Sequence, residues 1–334
     1  VLALFLPACA ELPEIRYETE HALIGTSFDA PLCAFDLARV DRHVGMVEEL
    51  LDARDADKIE VYVYGEVPEQ CEPGFGCYDR RREIVLTTWG ALEHEVVHAV
   101  VARFAEPSLF WDEGAASALD GDGAFRGVDA IDTELDETRA VDLDYNTAGH
   151  FARWLLEFET PDKFRSVLEG ADFSDTYGFD LDQAQARYEV EAPHSYPPWF
   201  ECGGAPLPSE TESVWHERVE ISCEAQGGSR TEGGPFSIVR SVVLEEGIYE
   251  IDTSGGIGTR LLGCQTTPFE EYPTEDVHGD IPSQAQSSQT HPGRLFESGA
   301  LHRFEITERG VFKVVLMARD EGTAMDVRIR SLGA

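Results

Sequence analysis

Residues 83–101 read EIVLTTWGALEHEVVHAVV. The first six, Glu83 to Thr88, are rich in β-branched residues and predict a strand. From Trp89 the pattern becomes an apolar run with few charges, which predicts a helix from Trp89 to Phe104, stopped by Pro107. Within it, His94 and His98 are four positions apart. Residues at that spacing share a helix face, so both imidazoles point to one place. Neutral imidazole is a good zinc ligand. Glu95 lies beside the first His and can reach a water at the metal without ligating. A metal lowers the pKa of such a water, and a carboxylate can take its proton as the oxygen attacks a carbonyl. Leu92, Val96, Val97, Ala99, Val100 and Val101 would bury the helix and hold the ligands rigidly. The plain alternative for an H-E-x-x-H string is a surface helix with two solvated His. The apolar helix and the preceding strand argue against it.

Working outward, Asp36 to Arg54 has helical spacing, with Leu37, Val40, Val44, Val47, Leu50 and Leu51 along one face. Lys58 to Tyr64 reads as a second strand, and residues 11–30 as irregular. Downstream, a short helix is expected from Trp111 to Leu119. The acidic, Gly-containing stretch 119–144 has the composition of a loop. Asp120-Gly121-Asp122-Gly123 lacks the ligand ladder of a calcium loop, and a solvated acidic loop is the preferred reading. Further helices are expected over Ala148 to Glu159, Pro161 to Leu168 and Asp180 to Val190. After Pro193 the chain turns rich in Pro and Gly, then into short strands separated by turns. The expected organisation is an N-terminal leader (1–10), an α+β catalytic domain (11–195), a linker (196–212) and a C-terminal all-β sandwich domain (213–334). Residues 273–293 read as a long loop.

A catalytic zinc needs a third protein ligand and one open position. Leu109-Phe110-Trp111-Asp112-Glu113-Gly114-Ala115-Ala116 offers Glu113, with Asp112 as the alternative. Here the chain resembles the gluzincin-type metallopeptidases, in which a second helix supplies a Glu ligand. Trp111 to Ala116 is similar to the W-x-x-E-G-x-A segment of their aminopeptidase-like branch, with one residue fewer before the Glu. Only 14 residues separate His98 from Glu113, fewer than in the thermolysin-like and aminopeptidase-like members. The resemblance implies a zincin-like catalytic domain over about residues 30–190, Zn2+ held by His94, His98 and Glu113, and Glu95 as the catalytic carboxylate. It also points to Tyr145, in Tyr145-Asn146-Thr147-Ala148-Gly149, as an oxyanion or proton-donating residue, though the Tyr-to-Gly spacing is one residue longer here. A core or rim aromatic is the other reading of Tyr145. His150 reads by default as a helix-surface His, and Ser117 as a helix-interior residue or a partner of a ligand His. No G-x-M-E-N-type motif precedes His94, which leaves exopeptidase activity unsupported. Glu83 to Thr88 is expected to offer an edge strand to an extended peptide, as an endopeptidase requires.

The formal net charge of −38 argues against nucleic acid and against an anionic lipid surface, both of which need Lys and Arg partners. No internal apolar run approaches the ~18–20 residues of a membrane span. Val1 to Ala8 is apolar and reads as the tail of a signal peptide. Leu6-Pro7-Ala8-Cys9 resembles a bacterial lipobox, which would place a lipid anchor on Cys9; cleavage after Ala8-Cys9-Ala10 is the competing reading. Either implies export. Six further Cys in an exported chain suggest disulfides. Cys71 with Cys77 would close a turn-rich loop, Cys223 with Cys264 would lie in the β-rich part, and Cys33 with Cys202 would tie the halves together.

The expected function is zinc-dependent hydrolysis of peptide or protein substrates at or outside the cell surface. The rival is a surface-anchored binding protein on a zinc-stabilised scaffold, which would have no need of Glu95.

Overall fold

The computed structural model describes residues 12–54, 57–71, 74–121, 124–127, 130–135, 137–196, 204–230, 235–264, 294–306 and 309–333. Its first part is mixed α/β. One sheet holds β1 (Ile15–Glu18), β2 (Ala22–Thr26), β3 (Ile59–Tyr64), β4 (Gly76–Asp79) and β5 (Ile84–Thr88) in the order β1-β2-β3-β5-β4. β2, β3 and β5 are parallel; β1 and β4 run antiparallel to their neighbours at the two edges. Helices α1 (Ala34–Leu50) and α2 (Leu92–Val101) cover one face. Alternation along the strands decides which side chains meet them. Val61, Val63 and Val85 join the main core with Val40, Val44, Val96 and Val100. Tyr62, Ile84 and Leu86 point the other way and form a small cluster with Cys71. Helices α3 (Leu109–Leu119), α4 (Ile131–Leu135), α5 (Tyr145–Phe158), α6 (Pro161–Leu168), α7 (Phe173–Tyr177) and α8 (Leu181–Glu191) complete this part, with a short pair of strands, β6 (Ala124–Phe125) and β7 (Ser195–Tyr196).

The C-terminal part is built of strands: β8 (Ala205–Pro206), β9 (Ser209–Thr211), β10 (Val214–Ile221), β11 (Gly228–Arg230), β12 (Phe236–Leu244), β13 (Gly247–Ser254), β14 (Gly258–Cys264), β15 (Arg294–Glu297), β16 (Leu301–Ile306), β17 (Gly310–Ala318) and β18 (Thr323–Gly333). They form two sheets, β16-β13-β18-β10-β9 and β11-β12-β17-β14-β15, the second also holding β8, which pairs in parallel with β12. Both contribute to one core, with Tyr249, Ile251, Phe304, Val327 and Ile329 from one sheet and Ile238, Val242, Phe296, Val314 and Leu316 from the other.

Four expectations need correction. The stretch 119–144, expected as a loop, holds β6 and α4. Residues 11–30 are not irregular, since they hold β1 and β2; both strands are short, and no sustained alternation betrays them. β5 is not an edge strand, because β4 lies outside it. β4 was hidden by its Gly- and Pro-rich approach, which reads as loop. The Cys71–Cys77 disulfide forms, but Cys33 pairs with Cys223, so neither Cys33–Cys202 nor Cys223–Cys264 exists. The reason is packing. The start of α1 lies against β11, where the buried Asp36 carboxylate accepts hydrogen bonds from the Ser229 hydroxyl and from the Arg230 N–H at 2.9 Å. The turn after β10 thereby brings Cys223 to Cys33. Cys202, the side chain of Cys264, the leader at 1–10, Asp122, Gly123 and the 273–293 loop lie outside the described residues.

The Cys33–Cys223 bond spans 190 positions. Restricting so long a loop in the unfolded chain stabilises the fold by up to about 5 kcal/mol. Replacing both Cys by Ser is expected to lower unfolding free energy by ~2–5 kcal/mol. Urea denaturation followed by fluorescence reads this directly, and an unchanged midpoint would refute it.

Candidate metal centre

α2 is extended at its start by a 3-10 turn, Trp89–Ala91, and its inner face is wholly apolar. Leu92, Val96, Val97, Val100 and Val101 are fully buried. On the side facing α1, His43 Nε2 donates to the Glu93 carbonyl oxygen at 3.2 Å and Arg39 pairs with the Glu93 carboxylate at 3.3 Å. These contacts fix how α2 is rotated and turn His94 and His98 toward α3.

α3 reaches them because it packs closely on α5. A Cβ on Gly114 would lie 3.0 Å from the Ala148 carbonyl oxygen, and one on Gly149 would lie 2.6 Å from the Ser117 Cβ. Glycine at both positions lets the helix backbones approach. Trp111 anchors the outer side of α3 among Phe110, Phe151 and Phe164 and stacks on Phe173. Glu113 is thereby carried to the two His despite the short connection.

Three donor atoms meet. His94 Nε2 is 3.1 Å from Glu113 Oε2, His98 Nε2 is 3.4 Å from the same oxygen, and the two Nε2 atoms are 3.3 Å apart. Ligands about 2.0–2.1 Å from a tetrahedral ion are themselves separated by about 3.3–3.4 Å. The triangle therefore has the size that a four-coordinate ion requires, and its outer side faces a cavity of about 1080 Å³. The electrostatics agree. Burial works against the His98 imidazolium, yet Asp112 and Glu113 push its pKa up to about 10. Burial would raise Glu113, yet hydrogen bonds from His94 and His98 hold it down to about 2. The cluster thus draws positive charge to its centre, and a divalent cation meets that demand while displacing the proton.

Asp112 lies outside the donor cluster. His98 Nδ1 donates to Asp112 Oδ1 at 3.1 Å, and Arg80 Nη2 donates to Asp112 Oδ2 at 2.8 Å. This carboxylate fixes the ring orientation and leaves Nε2 to face the cluster. Asp112→Asn is expected to weaken metal affinity about 10–100-fold while leaving one site per chain. Competition with a chromophoric chelator measures this, and an unaltered dissociation constant would refute it. Asp112 is detectable in the sequence as the acid beside Glu113. Nothing in the sequence marks Arg80, which comes from the turn after β4.

Glu95 lines the same cavity but is absent from the donor triangle. It is 7% exposed, and burial raises its pKa, opposed by His94 and His98. Tyr145 opens α5 with its ring centroid 6.1 Å from that of His94. Burial, with the carboxylates of Glu113 and Glu95, pushes its hydroxyl up to about 12, so it stays a proton donor at neutral pH. His150 is not on a helix surface. It is fully buried, hydrogen-bonded through Nδ1 to the Tyr188 hydroxyl at 2.7 Å, and lowered to about 3 by burial and the nearby Arg126. Ser117 serves the contact between α3 and α5 and bonds to neither ligand His.

No protein-family model matches the chain, and no curated protein matches it. Among solved structures, the cysteine peptidase Peruvianin-I from Thevetia peruviana latex is similar at a TM-score of 0.14 and 10% identity, over 38% of this chain and 67% of that one. Fe(II) HppE is similar at 0.15 and 13%, over 57% and 91%. Hydroxypropylphosphonic acid epoxidase from S. wedmorenis is similar at 0.15 and 12%, over 65% and 88%. Likenesses at this level carry no argument about fold or function.

Proposed function

We propose that this chain is a zincin-like, zinc-dependent peptidase that cuts within extended peptides outside the cytoplasm. The observation that carries the reading is the triangle of His94, His98 and Glu113 with a buried, non-ligating Glu95 on the same cavity wall. Bound zinc supplies Lewis-acid polarisation and makes a water nucleophilic at neutral pH. Glu95 takes the proton of the attacking water as its oxygen adds to the scissile carbonyl. The Tyr145 hydroxyl donates to the oxygen on which negative charge develops. Glu95 then returns the proton to the departing amine as the C–N bond breaks. The strand open to an extended substrate is β4, whose outer edge has no partner strand among the described residues and whose Gly76 and Tyr78 line the cavity.

Export is supported by the two disulfides, which persist in oxidising compartments. No helix among the described residues is long and apolar enough to cross a membrane.

Incubation of the full chain with casein and with a peptide library, followed by mass spectrometry of the products, tests the reading. Internal cuts that vanish with a chelator and return with zinc are expected. Bound zinc without cleavage would favour the binding-protein reading. Tyr145→Phe is expected to lower turnover about 10²-fold at unchanged metal content. Wild-type turnover in that variant would reduce Tyr145 to a rim aromatic.

A further inference from the structure

The place of Glu95 depends on a residue without a side chain. Gly76 opens β4. A Cβ built on it would lie 2.8 Å from Glu95 Cγ, 3.0 Å from Glu95 Oε1 and 2.6 Å from Thr87 Oγ1. Carbon atoms in contact sit about 3.5–4.0 Å apart, so even a methyl group there overlaps the Glu95 stem. Gly76 is not among the residues with positive φ, so any residue type can adopt its backbone conformation. Glycine is required here for space and not for torsional freedom.

The rest of β4 presents that bare position to Glu95. Successive strand residues face opposite ways. Tyr78 shares the face of Gly76, whereas the Cys77 side chain packs beside Leu86 in the cluster on the other face and is bonded to Cys71. The Thr87 hydroxyl is held by donating to the Thr88 carbonyl oxygen at 2.9 Å, which closes the remaining side. A contrast lies in the same cavity. Gly90 also lines it, yet a Cβ there meets nothing within 4 Å.

We propose that Gly76 is a positioning residue whose missing side chain lets the Glu95 carboxylate rest against the β4 backbone, beside the cluster of His94, His98 and Glu113. This rests on the reading of Glu95 as the proton carrier. The three atoms nearest a Cβ at position 76 belong to Glu95 and Thr87, and none of them to a metal ligand, so the displacement falls first on that carboxylate. Its effect therefore falls on turnover and not on metal binding. A displacement of about 1 Å in a reacting group costs on the order of 10²-fold in rate.

The test compares Gly76→Ala, Gly90→Ala and Glu95→Gln in the full chain, with zinc content, kcat and KM measured separately on one peptide. Gly76→Ala is expected to lose about 100-fold in kcat, with KM within about twofold and one zinc per chain retained. Gly90→Ala, whose added Cβ meets no protein atom within 4 Å, is expected to retain one zinc per chain and to lose far less kcat than Gly76→Ala. Thr87→Ala removes the second overlap, so Gly76→Ala/Thr87→Ala guards against simple misfolding. That double variant, compared with Thr87→Ala alone, is expected to stay slow. Full kcat in Gly76→Ala, recovery in the double variant, or a loss matched by lost zinc would each overturn the inference. If Glu95→Gln itself keeps full activity, the peptidase mechanism fails. If Glu95→Gln is inactive and Gly76→Ala is not, only the role of Gly76 fails.

Discussion

Glu95→Gln is expected to keep its zinc and to lose about 10²–10⁴-fold in peptide turnover. Gln has nearly the shape of Glu, so the buried site, 7% exposed, keeps its packing against β4. The amide cannot accept a proton from the attacking water, and that step stands or falls with the carboxylate. The ligand triangle does not include Glu95, so metal content should be unaffected. Elemental analysis and steady-state kinetics on the same preparation separate the two effects. Unchanged turnover with zinc in place would end the proposed mechanism, and lost zinc would move Glu95 into the metal site.

The second large effect is expected from the triangle itself. His98→Ala and Glu113→Ala should each reduce bound zinc from one per chain to none in dialysed protein, with turnover falling at least as far as in Glu95→Gln. Each variant removes one of three donors spaced 3.1–3.4 Å apart, and two donors do not hold a catalytic zinc firmly. The variants also leave charge unbalanced. His98→Ala takes one of two partners from each of Asp112 and Glu113, which keep Arg80 and His94, and Glu113→Ala removes the acceptor shared by both His. Zinc retained at full stoichiometry in both variants would refute the assignment of the site.

The H-E-x-x-H unit was legible in the sequence because its geometry is local. A helix places positions 94 and 98 together whatever surrounds it. Glu113 was legible through its Trp-Asp-Glu-Gly-Ala setting, although the short connection hid how it arrives. Close packing at Gly114 and Gly149 supplies that answer, and it is a fact about two helices distant in sequence. The same limit explains the errors. Asp112 read as an alternative ligand because sequence cannot tell a carboxylate at Nε2 from one at Nδ1. Cys223 was assigned to Cys264 because both lie in the strand-rich part, whereas its partner is chosen by where β11 meets α1. β4 went unseen because four residues entered through Gly and Pro carry little pattern. Its position beside β5 decides which strand meets the cavity.

The link between Cys33 and Cys223 has a further bearing on a chain with this proposed activity. All of α2, α3 and α5 lie between the two bonded residues. A single cut by the chain's own kind, anywhere within that span, opens the polypeptide without parting it. Both pieces stay joined through sulfur, and a cut between α2 and α5 leaves them joined as well through the core that these helices share. On a denaturing gel such a nicked molecule migrates as one species until a reductant is added. Self-inflicted damage would therefore go uncounted in any assay run without one.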